Sequence, residues 1–156
     1  MLVIHWAKQN TTANILTYGL RPGYRRQPGG ARKNPKGVYV YPFSTNRTLC
    51  GTWRRNLKRW DNHIANYNGF VFRLHEDDFP ILAGYWFFNR SNPVEAWVQS
   101  LQELSAQFGD FFSGDIVDKR EDGLSYNWED FEIIIPKHIA PQRIIRVIRD
   151  REPRGA

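Results

Sequence analysis

Apolar and polar positions alternate in short bursts along the 156-residue chain, and each burst is closed by glycine, proline or a cluster of charges. The bursts are rich in β-branched and aromatic residues, which suits pleated, half-buried strands. Met1 to Ala7 predicts a first strand, with Leu2, Val3 and Ile4 apolar and His5 at its end. Gly37 to Phe43, GVYVYPF, predicts a second, which Pro42 must terminate or bend. Gly69 to His75 places Val71, Arg73 and His75 on one face and Phe70, Phe72 and Leu74 on the other. Ile81 to Asn89 continues the sheet, and Ile144 to Ile148 forms its last strand. Trp128 to Pro136, WEDFEIIIP, carries the most chemistry. There Asp130 and Glu132 share one strand face, and Ile133 to Ile135 form a run suited to the centre of a sheet. Glu132 is thus a carboxylate at the entrance to a core strand.

Helical spacing is rarer. Asn10 or Thr11 can cap a short helix through Tyr18, with Ile15, Leu16 and Leu20 as its apolar face and Gly19 as a left-handed stop. Ser44 to Trp60 reads as helical in part, with Ser44 or Thr45 as cap and a break at Gly51. Asn92, Pro93 and Glu95 resemble a helix start, after which Val94, Trp97, Val98, Leu101, Leu104 and Phe108 fall on one helical face. Residues 21–36 form a loop by punctuation, with 3 Pro, 3 Gly and 6 Lys or Arg, and a loop of that length is usually functional or disordered. Gly109 to Asn127 is polar and reads as a second loop, and residues 150–156 as a frayed tail. No internal repeat or linker divides the chain.

Composition narrows this picture. A chain of this length builds one domain with a real core, and 6 Trp, 7 Tyr and 10 Phe provide for both packing and stacking surfaces. The single cysteine, Cys50, excludes an internal disulfide and a multi-cysteine zinc site, so no metal is expected and a reducing, cytoplasmic setting is. No apolar run approaches the roughly 18 residues of a membrane span, so no membrane partner is expected. The N-terminus lacks the pattern of a secretory signal.

Charge is distributed unevenly. The first acidic residue is Asp61, so residues 1–60 carry 12 Lys or Arg and no acid, and the remainder carries 10 basic and 16 acidic residues. The two parts, +12 and −6, give the net +6. A surface made only for solubility interleaves both signs, whereas a basic half-chain points to an anionic partner, either nucleic acid or a phosphorylated small molecule. Arg54, Arg55, Lys58 and Arg59, interleaved with Trp53 and Trp60, combine charge with stacking surfaces in the manner of single-stranded nucleic-acid binders.

IHWAKQNTTANILTYGLRP, the Gly/Pro-rich loop and GVYVYPFS together resemble the N-terminal half of the ADP-ribosyltransferase fold of the His-Tyr-Glu class, as in the poly-ADP-ribose polymerase catalytic domain. DFEIIIP is similar to the strand that carries the catalytic glutamate in bacterial ADP-ribosylating toxins. The pieces occur in the family's order and cover most of the chain. The resemblance implies an α+β domain of two packed, mostly antiparallel sheets forming an NAD cleft, with flanking helices and residues 21–36 as a donor loop. It also implies an NAD-dependent glycosyltransferase that uses NAD as substrate.

In that resemblance Glu132 holds the 2′-hydroxyl of the reacting ribose, Tyr39 stacks on nicotinamide and His5 binds a ribose hydroxyl on the adenosine side. Trp6, Tyr41, Arg21 and Ser44 complete the dinucleotide set. The family often has glycine where Trp6 stands, so the indole must find room, and Tyr41 can share or take over the stacking role of Tyr39. Asp130, with Arg54, Arg55, Arg59 and Trp53, forms the acceptor set. The expected function is mono-ADP-ribosylation of RNA or single-stranded DNA by a bacterial toxin or antiviral defence effector, for which a cognate antitoxin is a possible partner. A protein acceptor, an RNA 2′-phosphotransferase and a non-catalytic nucleic-acid-binding module are the alternatives. The phosphotransferase differs by not depending on Glu132.

Overall fold

The computed structural model describes residues 1–23, 35–43, 67–85, 94–108, 118–119, 125–126 and 131–149. The strands are β1 (Leu2–Lys8), β2 (Val38–Pro42), β3 (Tyr67–Arg73), β4 (Ile81–Tyr85), β5 (Val94–Val98), β6 (Asp118–Lys119), β7 (Ser125–Tyr126), β8 (Phe131–Ile135) and β9 (Ile144–Ile148). The helices are α1 (Thr12–Tyr18) and α2 (Leu101–Phe108). Among the described residues no helix is long and apolar enough to cross a membrane.

The fold is α+β, but the expected pair of packed sheets is replaced by one seven-stranded antiparallel sheet in the order β5-β4-β8-β2-β1-β3-β9, beside a two-stranded β6-β7 pair. Two half-sheets meet edge to edge at β1. That strand pairs with β3 along its whole length, from Leu2↔Arg73 to Lys8↔Tyr67, but with β2 only through Val3↔Pro42 and Ile4↔Tyr41. A seam therefore opens between the second half of β1 and the first half of β2. β8 is flanked by β4 and β2, which explains why its three isoleucines are all buried.

Strand alternation sorts the apolar residues into two populations. Val3, Val38, Val40, Phe70, Phe72, Ile81, Ala83, Phe131, Ile133 and Ile135 share the main core with Ile15 of α1 and Leu104 of α2. The opposite face carries Ile4, Trp6, Tyr41, Tyr67 and Val71 as one cluster and Tyr39, Leu82 and Ile134 as another. The alternation predicted for Phe70, Phe72 and Leu74 against Val71 holds.

Several boundaries differ from the sequence pattern. β1 runs on to Lys8, so His5 lies in mid-strand opposite Phe70 and not at the strand end, because β3 offers partners for the whole segment. Thr11 precedes α1 but spends its hydroxyl on Lys8 O at 2.6 Å, within a 3-10 turn over Gln9–Thr11, and makes no side-chain cap. The helix expected from Asn92 is a strand over Val94–Val98 followed by a shorter helix. β4 supplies backbone partners from Ile81↔Val98 to Tyr85↔Val94, and this pairing outweighs the helical spacing of the same apolar residues. The true helix start is Ser100, whose Oγ accepts the Glu103 N–H at 3.1 Å while Glu103 Oε2 accepts the Gln99 N–H at 2.9 Å. The second expected loop contains the β6-β7 pair.

Asp78 anchors the end of the sheet. It is 2% exposed, accepts Arg143 on both carboxylate oxygens and takes the His75 N–H at 2.8 Å, while Arg143 also donates to Arg73 O at 2.7 Å. Removing one partner of a buried, doubly bonded pair strands the other charge. Arg143→Ala is expected to cost about 3 kcal/mol, the low end for such pairs because the arginine keeps some solvent contact. Thermal unfolding should then fall by roughly 6–12 °C; an unchanged midpoint would show that Asp78 finds other partners.

Candidate active site around Glu132

Glu132 leaves β8 on the sheet face opposite the main core and is only 7% exposed. Its neighbours follow from register, since cross-strand partners point to the same face. Gly84 of β4 stands opposite Glu132 on one side, and Tyr41 of β2 lies one step beyond the pair Val40↔Ile133 on the other. The Tyr41 hydroxyl donates to Glu132 Oε2 at 2.8 Å, and Tyr41 is 2% exposed. A buried carboxylate is costly unless hydrogen-bonded, and this bond both offsets part of that cost and fixes the carboxylate's direction. Glycine on the far side leaves the flank of Glu132 without a β4 side chain.

Tyr39 shares this face two residues away, in a row with Ile134 and Leu82 that ends at the half-exposed Trp97 on the edge strand. Its hydroxyl donates to Pro35 O at 2.5 Å, so ring and hydroxyl are both anchored. The two tyrosines thus have different duties: Tyr41 orients the carboxylate, and Tyr39 walls the same face beside it.

His5 and Trp6 border the seam from β1. The indole of Trp6 points to the Glu132 face and is housed over Gly69, its partner on β3, where any Cβ would lie 2.7 Å from the ring. That slot gives the indole its place on this face. His5 alternates to the other face, yet its ring spans the seam, with Nδ1 2.7 Å from Tyr39 O. A carbonyl can only accept, so Nδ1 carries the proton, and in the neutral ring Nε2 holds the lone pair. His5 is thereby tied to the backbone of Tyr39.

The structure therefore brings Glu132, Tyr41 and Tyr39 onto one face and links His5 to them through the β2 backbone. Arg21 lies apart, beyond α1, with its guanidinium 5.6 Å over the Tyr18 ring. Ser44, Trp53, Arg54, Arg55, Arg59 and Asp130 lie outside the described residues. The pattern along the chain missed Gly84, which stands opposite Glu132 and presents no side chain to it. Glu95, read as part of a helix start, stands in β5 opposite Gly84. Only pairing partners could have revealed either. The chain matches no protein-family model, no curated protein and no solved structure.

Proposed function

We propose that the chain is an NAD-dependent mono-ADP-ribosyltransferase whose acceptor is RNA or single-stranded DNA, acting as a bacterial toxin or phage-defence effector in the cytoplasm. The observation that carries this reading is the buried carboxylate of Glu132, held by the Tyr41 hydroxyl and standing opposite Gly84. Buried ionisable groups with a dedicated partner concentrate at functional sites.

The chemistry follows from that placement. Breaking the bond between ribose C1′ and the nicotinamide nitrogen sends the bonding pair to nicotinamide, which leaves neutral, and places positive charge on the ribose. Glu132 accepts a hydrogen bond from the ribose 2′-hydroxyl and stabilises that charge as it develops. A nucleophilic base atom then bonds to C1′ and releases its proton to solvent. Tyr39 packs against the nicotinamide ring, and His5 hydrogen-bonds a hydroxyl of the second ribose; both contribute orientation. The acid-free first 60 residues supply the field that draws a polyanion.

The direct test is incubation with labelled NAD and separate pools of RNA, single-stranded DNA, duplex DNA and total protein. Label in a nucleic-acid pool is the expected result; label only in protein moves the acceptor, and no label in any pool removes the transferase reading. Tyr41→Phe keeps the ring and loses the bond to Glu132, so it should lower transfer about tenfold, as expected for one positioning hydrogen bond, with little change in the KM for NAD. Tyr39→Phe should instead raise that KM and spare the maximal rate. Equal losses in both variants would mean that the hydroxyls do not divide these duties.

A further inference from the structure

At the end of the β2-β8 pair remote from Glu132, three chain segments meet around an open pocket of about 580 Å³ lined by Arg21, Pro22, Lys36, Pro136 and His138. Among the described residues no carboxylate lines it, and its polar side chains come from positions widely separated in sequence. From this arrangement we infer a phosphate-binding site in which Arg21 and Lys36 hold the anion and His138 forms the third wall.

The walls are fixed before any ligand arrives. Leu20 and Ile139 exchange two backbone hydrogen bonds of 2.8 and 2.9 Å, and Gly23 and Gly37 exchange two of 2.9 Å, so the segments bearing Arg21, Lys36 and His138 are stitched together. Arg21 rests on the Tyr18 ring, and His138 Nε2 donates to Tyr18 O at 2.6 Å. Arginine offers a planar fork and lysine a point charge, a complementary pair for phosphate oxygens. Arg21, held on the Tyr18 ring, loses less freedom on binding than a free surface side chain. The volume suits part of a nucleotide-sized ligand better than a lone ion.

Distance defines the role. Val38 pairs with Ile135, so Lys36 and Pro136 sit just past that rung, and Pro136 is four residues from Glu132, about 13 Å at strand spacing. A phosphate held there lies away from the reacting carbon and serves to anchor a remote part of the ligand. The anchored group is a phosphate diester or diphosphate, from either the dinucleotide or the backbone of a nucleic acid. The site itself stands on the pocket alone, and only the assignment of its source rests on the transferase reading.

Inorganic pyrophosphate, titrated calorimetrically into the full chain, tests the site without any turnover. Saturable binding is expected, weakened about tenfold by Lys36→Ala and further by Lys36→Glu. Arg146→Glu, an equal charge change on the opposite edge strand, should leave it unaltered. Competition then separates the sources: displacement of pyrophosphate by NAD but not by a single-stranded oligonucleotide assigns the dinucleotide diphosphate, and the reverse assigns the polymer backbone. Absence of binding at millimolar pyrophosphate, or equal weakening by Arg146→Glu, would overturn the site.

Discussion

Glu132→Gln is expected to bind NAD at close to the wild-type level while transfer falls by about a hundredfold or more. Glutamine preserves the shape of the side chain and can still accept from the Tyr41 hydroxyl that now meets Glu132 Oε2 at 2.8 Å. What it loses is the negative charge, and that charge matters only when the ribose becomes positive. An interaction made in the transition state and absent from the ground state lowers kcat and kcat/KM together. Loss of one such preorganised contact typically costs a hundred- to thousandfold in rate, about 3–4 kcal/mol. The measurement is single-turnover release of nicotinamide from labelled NAD, alongside binding of NAD to the same variant. Transfer that survives within a few-fold would remove Glu132 from the site. Growth arrest on expression, if the chain is toxic to its host, should disappear with the same substitution.

The largest expected effect on stability is at Gly19. Its φ of 84° and ψ of −168° lie in a region closed to residues with a side chain, and a Cβ there would sit 2.0 Å from Ile139 O. Alanine must therefore both leave that conformation and push apart the segments that Leu20 and Ile139 join by paired hydrogen bonds. Gly19→Ala should cost about 3 kcal/mol or more, from backbone strain plus the broken bridge, and lower the thermal midpoint by roughly 6–12 °C. Gly23→Ala is the control, since a Cβ at that position meets nothing within 4 Å. A Gly19→Ala protein as stable as the control would mean that the bridge does not hold this end of the sheet. Because Arg21 and His138 flank the bridge, Gly19→Ala should also weaken pyrophosphate binding, whereas Gly23→Ala should not.

Gly19 also shows how far local pattern reaches. Its role in ending α1 was legible, since a glycine after an apolar helical face marks a stop. The particular conformation was not, because ψ turns away from the left-handed helical value to send Leu20 into a bridge with Ile139, 119 residues downstream. Similarly, the Val94–Phe108 segment has helical spacing, yet its first third is a strand because β4 presents a row of matching backbone groups. The Ser100-x-x-Glu103 signature of the real helix start was present, but a stronger-looking cap at Asn92 preceded it.

The sequence by itself determined where apolar alternation places strands β1, β2, β3, β8 and β9, that β8 lies inside the sheet, and that Glu132 stands among its isoleucines. These are properties of period and of residue type, which act over a few residues. It also determined the charge asymmetry, which needs no fold to be real. The tertiary structure alone decided that the seven longer strands join in one sheet, that His5 sits in mid-strand beside a seam, and that Tyr41 and not Tyr39 holds the carboxylate. It alone matched Trp6 with Gly69 and Glu132 with Gly84, and gathered Arg21, Lys36 and His138 around one pocket. Each of these depends on which strand lies beside which and in what register. A local pattern says only which way a side chain points, whereas pairing fixes what it points at, through contacts as distant as the 91 positions that separate Tyr41 from Glu132.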